Sequence, residues 1–308
     1  SIVGDNIDKQ VKDGELKLHT RDIYSLIPKV KDRGAAAESW LLNKNNISLW
    51  QQDLDAFESA LYITDLGDIE TSNPLGDLPL KMEFLSNKTE LGQFITEWMP
   101  NATRNVHYNI GKMQIKNVWK VDRHGDEEKL AKAQQVIAAD KWTTKEQPLH
   151  QPRRRLDLSR DQAKLYVQSG THYFFHGTRS VNVTGILRES LRLPKTLVGV
   201  VITGAMFGGG LYWADDWKKS AGYTSMRGSY WSSGGGAVAG RGAFMFVADV
   251  AIGNPYVAPC SKGYTGPPNG YHSIFGKANV SGVQNNEFIT FTRETHRLRY
   301  LVEFETTK

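Results

Sequence analysis

The stretch that decides the fold is Tyr173-Phe174-Phe175-His176-Gly177-Thr178-Arg179. Three aromatic rings followed by a histidine, closed by glycine, read as a short buried strand that delivers His176 to a turn. Gly177 lets backbone N–H and C=O groups come close to a flat ligand. Further along, Gly208-Gly209-Gly210-Leu211-Tyr212-Trp213-Ala214-Asp215 ends a glycine-rich loop in a second short strand, and Asp216 opens a helix carrying Lys219, Ser220 and Tyr223. Ser220 and Tyr223 stand three apart, so a hydroxyl and a ring can face one pocket beside Tyr212. The third piece is Asn285-Asn286-Glu287-Phe288-Ile289-Thr290-Phe291. Glu287 heads an apolar strand on the face of Ile289, with Phe288 opposite. A carboxylate there is costly to bury unless it is paired or used; on an edge strand it would simply face water.

Working outward, strands are expected at 173–176, 243–250, 287–291 and 299–304, and helices at 182–190 and 216–224. Strands that cluster without regular intervening helices give an α+β fold with a mixed or mainly antiparallel sheet. Another strand-like run begins near Met113 with Ile115, Val118 and Trp119 and leads into a charged turn at 122–128. The first third reads as helical. Residues 47–61 place Leu49, Leu54, Phe57 and Leu61 near a 3.6 period, and Leu91, Phe94, Ile95 and Met99 form a second stripe, with Asn87 as N-cap and Pro100 as stop. A connector rich in Gly, Pro, Asp and Asn separates them at 65–79. The expected organisation is therefore a helical domain at 1–105, preceding a catalytic domain at 106–308. Residues 228–242 are a Gly/Ser-rich surface loop.

With 40% hydrophobic and 23% charged residues among 308, the composition is globular and excludes collagen, coiled coil and wholesale disorder. The single cysteine, Cys260, cannot close an intrachain disulfide or build a multi-thiolate zinc site, and it points to a reducing, intracellular setting. The opening residues lack the basic and apolar regions of a signal peptide. The uncharged run at 196–214 contains five glycines and reads as strand and loop, so no membrane contact is expected. Residues 1–110 hold 11 Lys/Arg and 17 Asp/Glu, a net −6, whereas 111–308 hold 27 and 16, a net +11. A basic C-terminal part favours an anionic ligand.

Phosphate-loop and dinucleotide-binding glycine signatures are absent. His172 and His176 have the spacing of a helical zinc pair, but their segment has strand character, and no metal is expected.

The ordered set of pieces resembles the catalytic domain of the poly(ADP-ribose) polymerases, ADP-ribosyltransferases of the diphtheria-toxin-like branch marked by His, Tyr and Glu on separate strands. The matching residues are His176-Gly177-Thr178-Arg179-Ser180 with Asn182, then Met206 to Asp215 with Lys219, Ser220 and Tyr223, then Gly253-Asn254, Tyr271-His272 and Asn286-Glu287, closing on Tyr300-Leu301-Val302. The resemblance covers roughly residues 108–308. A weaker resemblance at Ile23-Tyr24-Ser25-Leu26 extends upstream to part of a helical regulatory domain, which implies that its early helices would be missing from this chain.

The resemblance implies NAD+ as substrate. Its nicotinamide would stack between Tyr212 and Tyr223, held by the Gly177 backbone and the Ser220 hydroxyl, with Lys219 also in the binding set. His176 would bind the adenosine ribose, with Thr178, Asn182 and Arg192 near the adenosine. Glu287 would stabilise positive charge on the ribose as nicotinamide leaves and polarise the acceptor; His176 and Tyr212 complete the catalytic set. Implied partners are protein acceptors including the chain itself, and DNA through modules outside this chain. The implied location is nuclear in a eukaryote and cytoplasmic in a bacterium or virus. Met206 and Glu287 match positions that hold the acceptor ribose in polymer-forming members, which favours chain elongation. Against the family pattern, 129–170 (with Arg153, Arg154 and Arg155) is long enough for a surface or partner contact, 228–242 is expanded, and 272–286 is short. Alternatives are a mono-ADP-ribosyltransferase, which includes one acting on nucleic acid, and a silent NAD- or ADP-ribose-binding module. A nucleic-acid-binding protein built on the basic half lacks any recognised motif.

Overall fold

Alternation along the aromatic strand sets the layering. In a computed structural model that describes residues 80–104, 110–193, 206–224 and 242–307, this strand is β3 (Thr171–Gly177). Tyr173 and Phe175 point to one side, into a cluster with Trp217, Met245 and Tyr300, while Phe174 points to the other, into a cluster with Trp213, Phe246 and Phe288. All are essentially inaccessible to water, so one strand anchors cores on both sides of its sheet.

That sheet has the order β1-β2-β9-β5-β3 and is antiparallel throughout, built from β1 (Leu80–Phe84), β2 (Lys112–Arg123), β3, β5 (Ala243–Ala251) and β9 (His296–Thr307). A second sheet has the order β4-β8-β7-β6, from β4 (Leu211–Trp213), β6 (Pro255–Val257), β7 (Ser273–Gly276) and β8 (Glu287–Thr290); only β6 and β7 run parallel. The expected α+β class with mixed and antiparallel sheets holds. Aromatic rings join the layers: Phe288 stacks on Phe275 at 4.2 Å and meets Phe174 at 4.9 Å, pairs worth about 0.5–1.5 kcal/mol each beyond burial. At the edge of β3, the backbones of Phe175 and Ala214 bond in both directions. Beside them the Gln151 amide accepts from Tyr173 N–H and donates to its carbonyl, substituting for a neighbouring strand.

The helices are α1 (Glu90–Asn101), α2 (Asp126–Ala139), α3 (Arg160–Gln168), α4 (Val183–Glu189) after a 3₁₀ turn at Ser180–Asn182, and α5 (Trp217–Ala221). Three expectations need correction. Thr89, not Asn87, caps α1, because its hydroxyl accepts from Gly92 N–H; Pro100 lies inside the last turn instead of ending the helix. The charged turn at 122–128 is strand to Arg123 and helix from Asp126. Arg155 is not a surface group. It is largely withdrawn from solvent in an ion network under the sheet, while Arg153 and Arg154 are exposed.

That network joins three guanidiniums to three carboxylates. Arg155 binds Asp157 and Asp249, both at 2.8 Å, and lies 3.4 Å over the Tyr173 ring. Arg299 binds Asp157 and approaches Asp249, and Arg297 pairs with Glu127 at 2.8 Å. Tyr166 and Tyr173 donate to Asp249 and Asp157, both at 2.9 Å. Hydrogen bonds and positive charge hold the Asp157 carboxyl well below the usual carboxylate range, against burial that pushes it up.

Every described residue belongs to one compact unit. The division expected at 105/106 falls outside the described residues; β1, from before it, pairs with β2, from after it, and α1 packs Ile95 and Met99 into the Tyr173 cluster. The helix expected at 47–61, the connector at 65–79 and, except Gly242, the loop at 228–242 also lie outside the described residues.

Candidate active site

Three strand ends converge where the two sheets meet. β3 brings His176 and Gly177; β4, tied to β3 through Ala214, brings Tyr212; β8, the neighbour of β4, is headed by Glu287. Glu287 is not on an edge. Its strand lies between β4 and β7, and all four of its residues are buried.

Burial of a carboxylate demands a partner. Lys219 on α5 supplies it: Nζ lies 2.5 Å from Glu287 Oε1 and donates to the Asn286 carbonyl at 3.2 Å. Burial pulls the Lys219 ammonium below its ordinary pKa, and the Glu287 charge opposes this. The second carboxylate oxygen, Oε2, is buried without a hydrogen-bond partner among the described residues. An orphaned acceptor of this kind suits a hydroxyl donated by a ligand.

The Tyr212 hydroxyl accepts from Phe207 N–H at 2.9 Å and donates to the Gly208 carbonyl at 2.8 Å, which fixes the ring across the glycine-rich loop. Burial pushes that phenol far above its normal pKa, so it stays neutral. Tyr223 is 44% exposed. It lies beyond the end of α5, in a turn closed by its N–H to the Ser220 carbonyl, and not on the same helix as expected.

Gly177 has a packing reason beside the expected one. A Cβ there would sit 1.8 Å from the Ser220 carbonyl oxygen, so glycine allows α5 to press against the end of β3. The Ser220 hydroxyl donates to the Phe175 carbonyl at 3.1 Å, leaving its oxygen as an acceptor. His176 is half-buried, with Nδ1 3.4 Å from the Tyr212 carbonyl; a proton on Nδ1 serves that bond and turns Nε2 into an acceptor. Burial lowers its pKa, favouring the neutral ring. Asn182 donates to Thr178 at 3.3 Å, so these two stand together beside His176. Arg192 pairs with Glu189 and is largely exposed, a surface ion pair. Met206 is exposed at the start of the loop.

Sequence reasoning missed His296. It is buried with Nδ1 unpartnered, bonded through Nε2 to Ser190 at 3.0 Å and packed 5.0 Å from Trp213, whose other neighbour is His176 at 5.9 Å. Its place at the head of β9 gives no motif. Asp215 was read only as part of a motif, and it is buried at the end of β4.

No group of three or more metal-ligating side chains occurs among the described residues. The site gathers an imidazole, two phenols and a buried carboxylate, which suits a flat nucleotide and a reaction that develops positive charge.

A family model described as the poly(ADP-ribose) polymerase catalytic domain matches residues 93–282. Among curated proteins, the chain is 25% identical over 266 residues to a poly [ADP-ribose] polymerase of Sarcophaga peregrina, covering 84% of this chain and 22% of that protein. It is 24% identical over 199 residues to poly [ADP-ribose] polymerase 1 of Danio rerio, 65% of this chain and 15% of that one. It is 28% identical over 165 residues to protein mono-ADP-ribosyltransferase PARP3 of Gallus gallus, 53% of this chain and 22% of that one. The chain belongs to the poly(ADP-ribose) polymerase catalytic-domain family, and it spans only 15% to 22% of the length of these relatives.

Proposed function

We propose that this chain transfers ADP-ribose from NAD+ to macromolecular acceptors and releases nicotinamide. In this reaction the bond between ribose C1′ and the nicotinamide nitrogen breaks, its electron pair leaves with neutral nicotinamide, and a bond forms from C1′ to an acceptor oxygen that gives up its proton. The ribose passes through an oxocarbenium-like state, whose charge a fixed carboxylate in a dry site stabilises strongly. The observation that carries the reading is Glu287: one oxygen clamped by Lys219, the other buried with no partner. Oε2 takes a hydroxyl of the nicotinamide ribose and later polarises the acceptor. Tyr212 and Tyr223 flank the nicotinamide ring, and the Gly177 backbone with Ser220 Oγ holds its carboxamide. His176 binds the adenosine ribose, with Thr178, Asn182 and Arg192 toward the adenosine.

The acceptors are protein side chains, among them those of this chain, and the ends of growing ADP-ribose chains; exposed Met206 stands on the acceptor side. The net +11 of residues 111–308 retains a growing polyanion at low salt. Residues 1–105 are assigned by the family resemblance to part of a regulatory domain, with DNA contacts made through modules outside this chain and a nuclear location in a eukaryote. Among the described residues, no helix is long and apolar enough to cross a membrane.

Incubation with labelled NAD+, followed by gel and intact mass, tests the reading. A ladder of added ADP-ribose units is the expected result. One unit per site at saturating NAD+ would favour the mono-transferase reading, and no label with no nicotinamide released would leave only the binding module.

A further inference from the structure

A single buried oxygen ties the head of β8 to a segment far away in sequence. Oδ2 of Asp215, itself 1% exposed at the end of β4, accepts the Asn286 Nδ2 donor at 2.9 Å and the Leu149 N–H at 2.8 Å. Asn286 immediately precedes Glu287. Its Oδ1 accepts from Ala278 N–H at 3.1 Å, and its carbonyl accepts from Lys219. The backbone that carries Glu287 is thus gripped from β4, from the chain after β7 and from α5.

Leu149 belongs to residues 140–152, a stretch with little regular structure that is nonetheless fixed along its length. Glu146 binds Lys277 at 2.9 Å, Trp98 Nε1 donates to the His150 carbonyl at 2.7 Å, and Gln151 pairs with the backbone of Tyr173. Asp215 is where this strap meets the strand that carries the carboxylate.

We infer that Asp215 is a positioning residue: it acts as a hydrogen-bond acceptor that, through Asn286, sets the aim of Glu287, and it anchors the 140–152 strap to the same point. The inference rests on Glu287 being the catalytic carboxylate proposed above. Both donors are neutral N–H groups, so what they require of Asp215 is an acceptor, while its charge separately supports the Lys219 ammonium. Asparagine at 215 keeps an oxygen in place for both donors, whereas alanine leaves the Leu149 and Asn286 donors buried and unpaired. A carboxylate that must meet developing charge is sensitive to small misplacement, whereas ground-state binding of NAD+ through stacking and backbone contacts is much less so.

The test is steady-state nicotinamide release from NAD+ by the full 308-residue chain and five variants, with thermal melting of each. Asp215→Ala and Asn286→Ala are each expected to lower kcat about 10- to 100-fold with KM for NAD+ within about twofold. The double variant should be no worse than the poorer single within about threefold, since both remove one link. Asp215→Asn should stay within about threefold of the parent, the rescue that acceptor geometry predicts. If Asp215→Ala does not fold, Asn286→Ala and Asp215→Asn decide. A folded Asn286→Ala with parental kcat, a change confined to KM, an Asp215→Asn as damaged as the alanine variant, or multiplying losses in the double variant would each overturn the inference. Glu287→Gln separates the two levels: parental turnover in that variant defeats the reading of Glu287 itself, whatever Asp215 does.

Discussion

Asp249→Asn tests whether the ion network beneath the sheet holds the catalytic half together. Asp249 is fully buried, accepts from Arg155 at 2.8 Å and Tyr166 at 2.9 Å, and lies 3.4 Å from Arg299 and 3.6 Å from Arg297. Asparagine keeps the shape and removes the charge. Three buried guanidiniums then share Asp157 and the half-exposed Glu127, and an uncompensated buried charge costs about 3–5 kcal/mol. For a unit of this size, about 2–4 °C of Tm follows each kcal/mol, so a fall of about 6–20 °C is expected. Urea unfolding at pH 7, followed by tryptophan fluorescence, reads the loss directly as a lower midpoint at unchanged slope. Glu127→Gln is the control: its carboxylate is 50% exposed, and its loss should cost less than about 1 kcal/mol. An Asp249→Asn protein within about 1 kcal/mol of the parent would refute the reasoning, because the network would then be no more than a set of screened pairs.

Three further expectations concern the site and its surroundings. Gly177→Ala puts a methyl 1.8 Å from the Ser220 carbonyl, so β3 and α5 must part; turnover should fall at least about tenfold at a stability cost of about 1–3 kcal/mol, read by nicotinamide release and melting. Tyr223→Ala should weaken a nicotinamide mimic such as benzamide about fivefold or more in calorimetry, the loss of a stacking face worth on the order of 1 kcal/mol. Burial lowers His296 from 6.5 to about 3, so the unfolded chain binds the extra proton; stability is full above about pH 6.5 and should fall by about 1.4 kcal/mol per pH unit below it. Replacing His296 by Phe should reduce the slope of stability between pH 6.5 and 5 by about 1.4 kcal/mol per pH unit, leaving the part due to buried His172 and His176, and an unchanged slope would exclude His296 as a source.

The parts of the site that were legible in sequence are those with short-range signatures. The rings before His176, the glycines before Tyr212 and the carboxylate at the head of an apolar strand each state their environment within a few residues. The connections were not legible. Arg155 sits in a run of three arginines that looks like solvated charge, and only the folded sheet brings Asp249 and Arg299 from distant strands to bury it. Gly177 was singled out for a ligand contact, and its second reason, the close approach of α5, is a tertiary fact with no local signature. The stretch at 129–170 held a readable signal that was missed: Ser159 and Gln162 form a capping box that starts α3. Thr89 took the cap expected of Asn87, a shift of two residues that propensity alone does not resolve.

The central claim is that a buried carboxylate with one clamped and one unpartnered oxygen performs ADP-ribosyl transfer. Its most direct test is nicotinamide release by the parent and by Glu287→Gln, with binding of benzamide measured on both. Release by the parent, a loss of kcat of at least about 100-fold in the variant, and benzamide affinity within about threefold are the expected results. Release by Glu287→Gln at the parental rate, or an equal loss of binding and turnover, would contradict it.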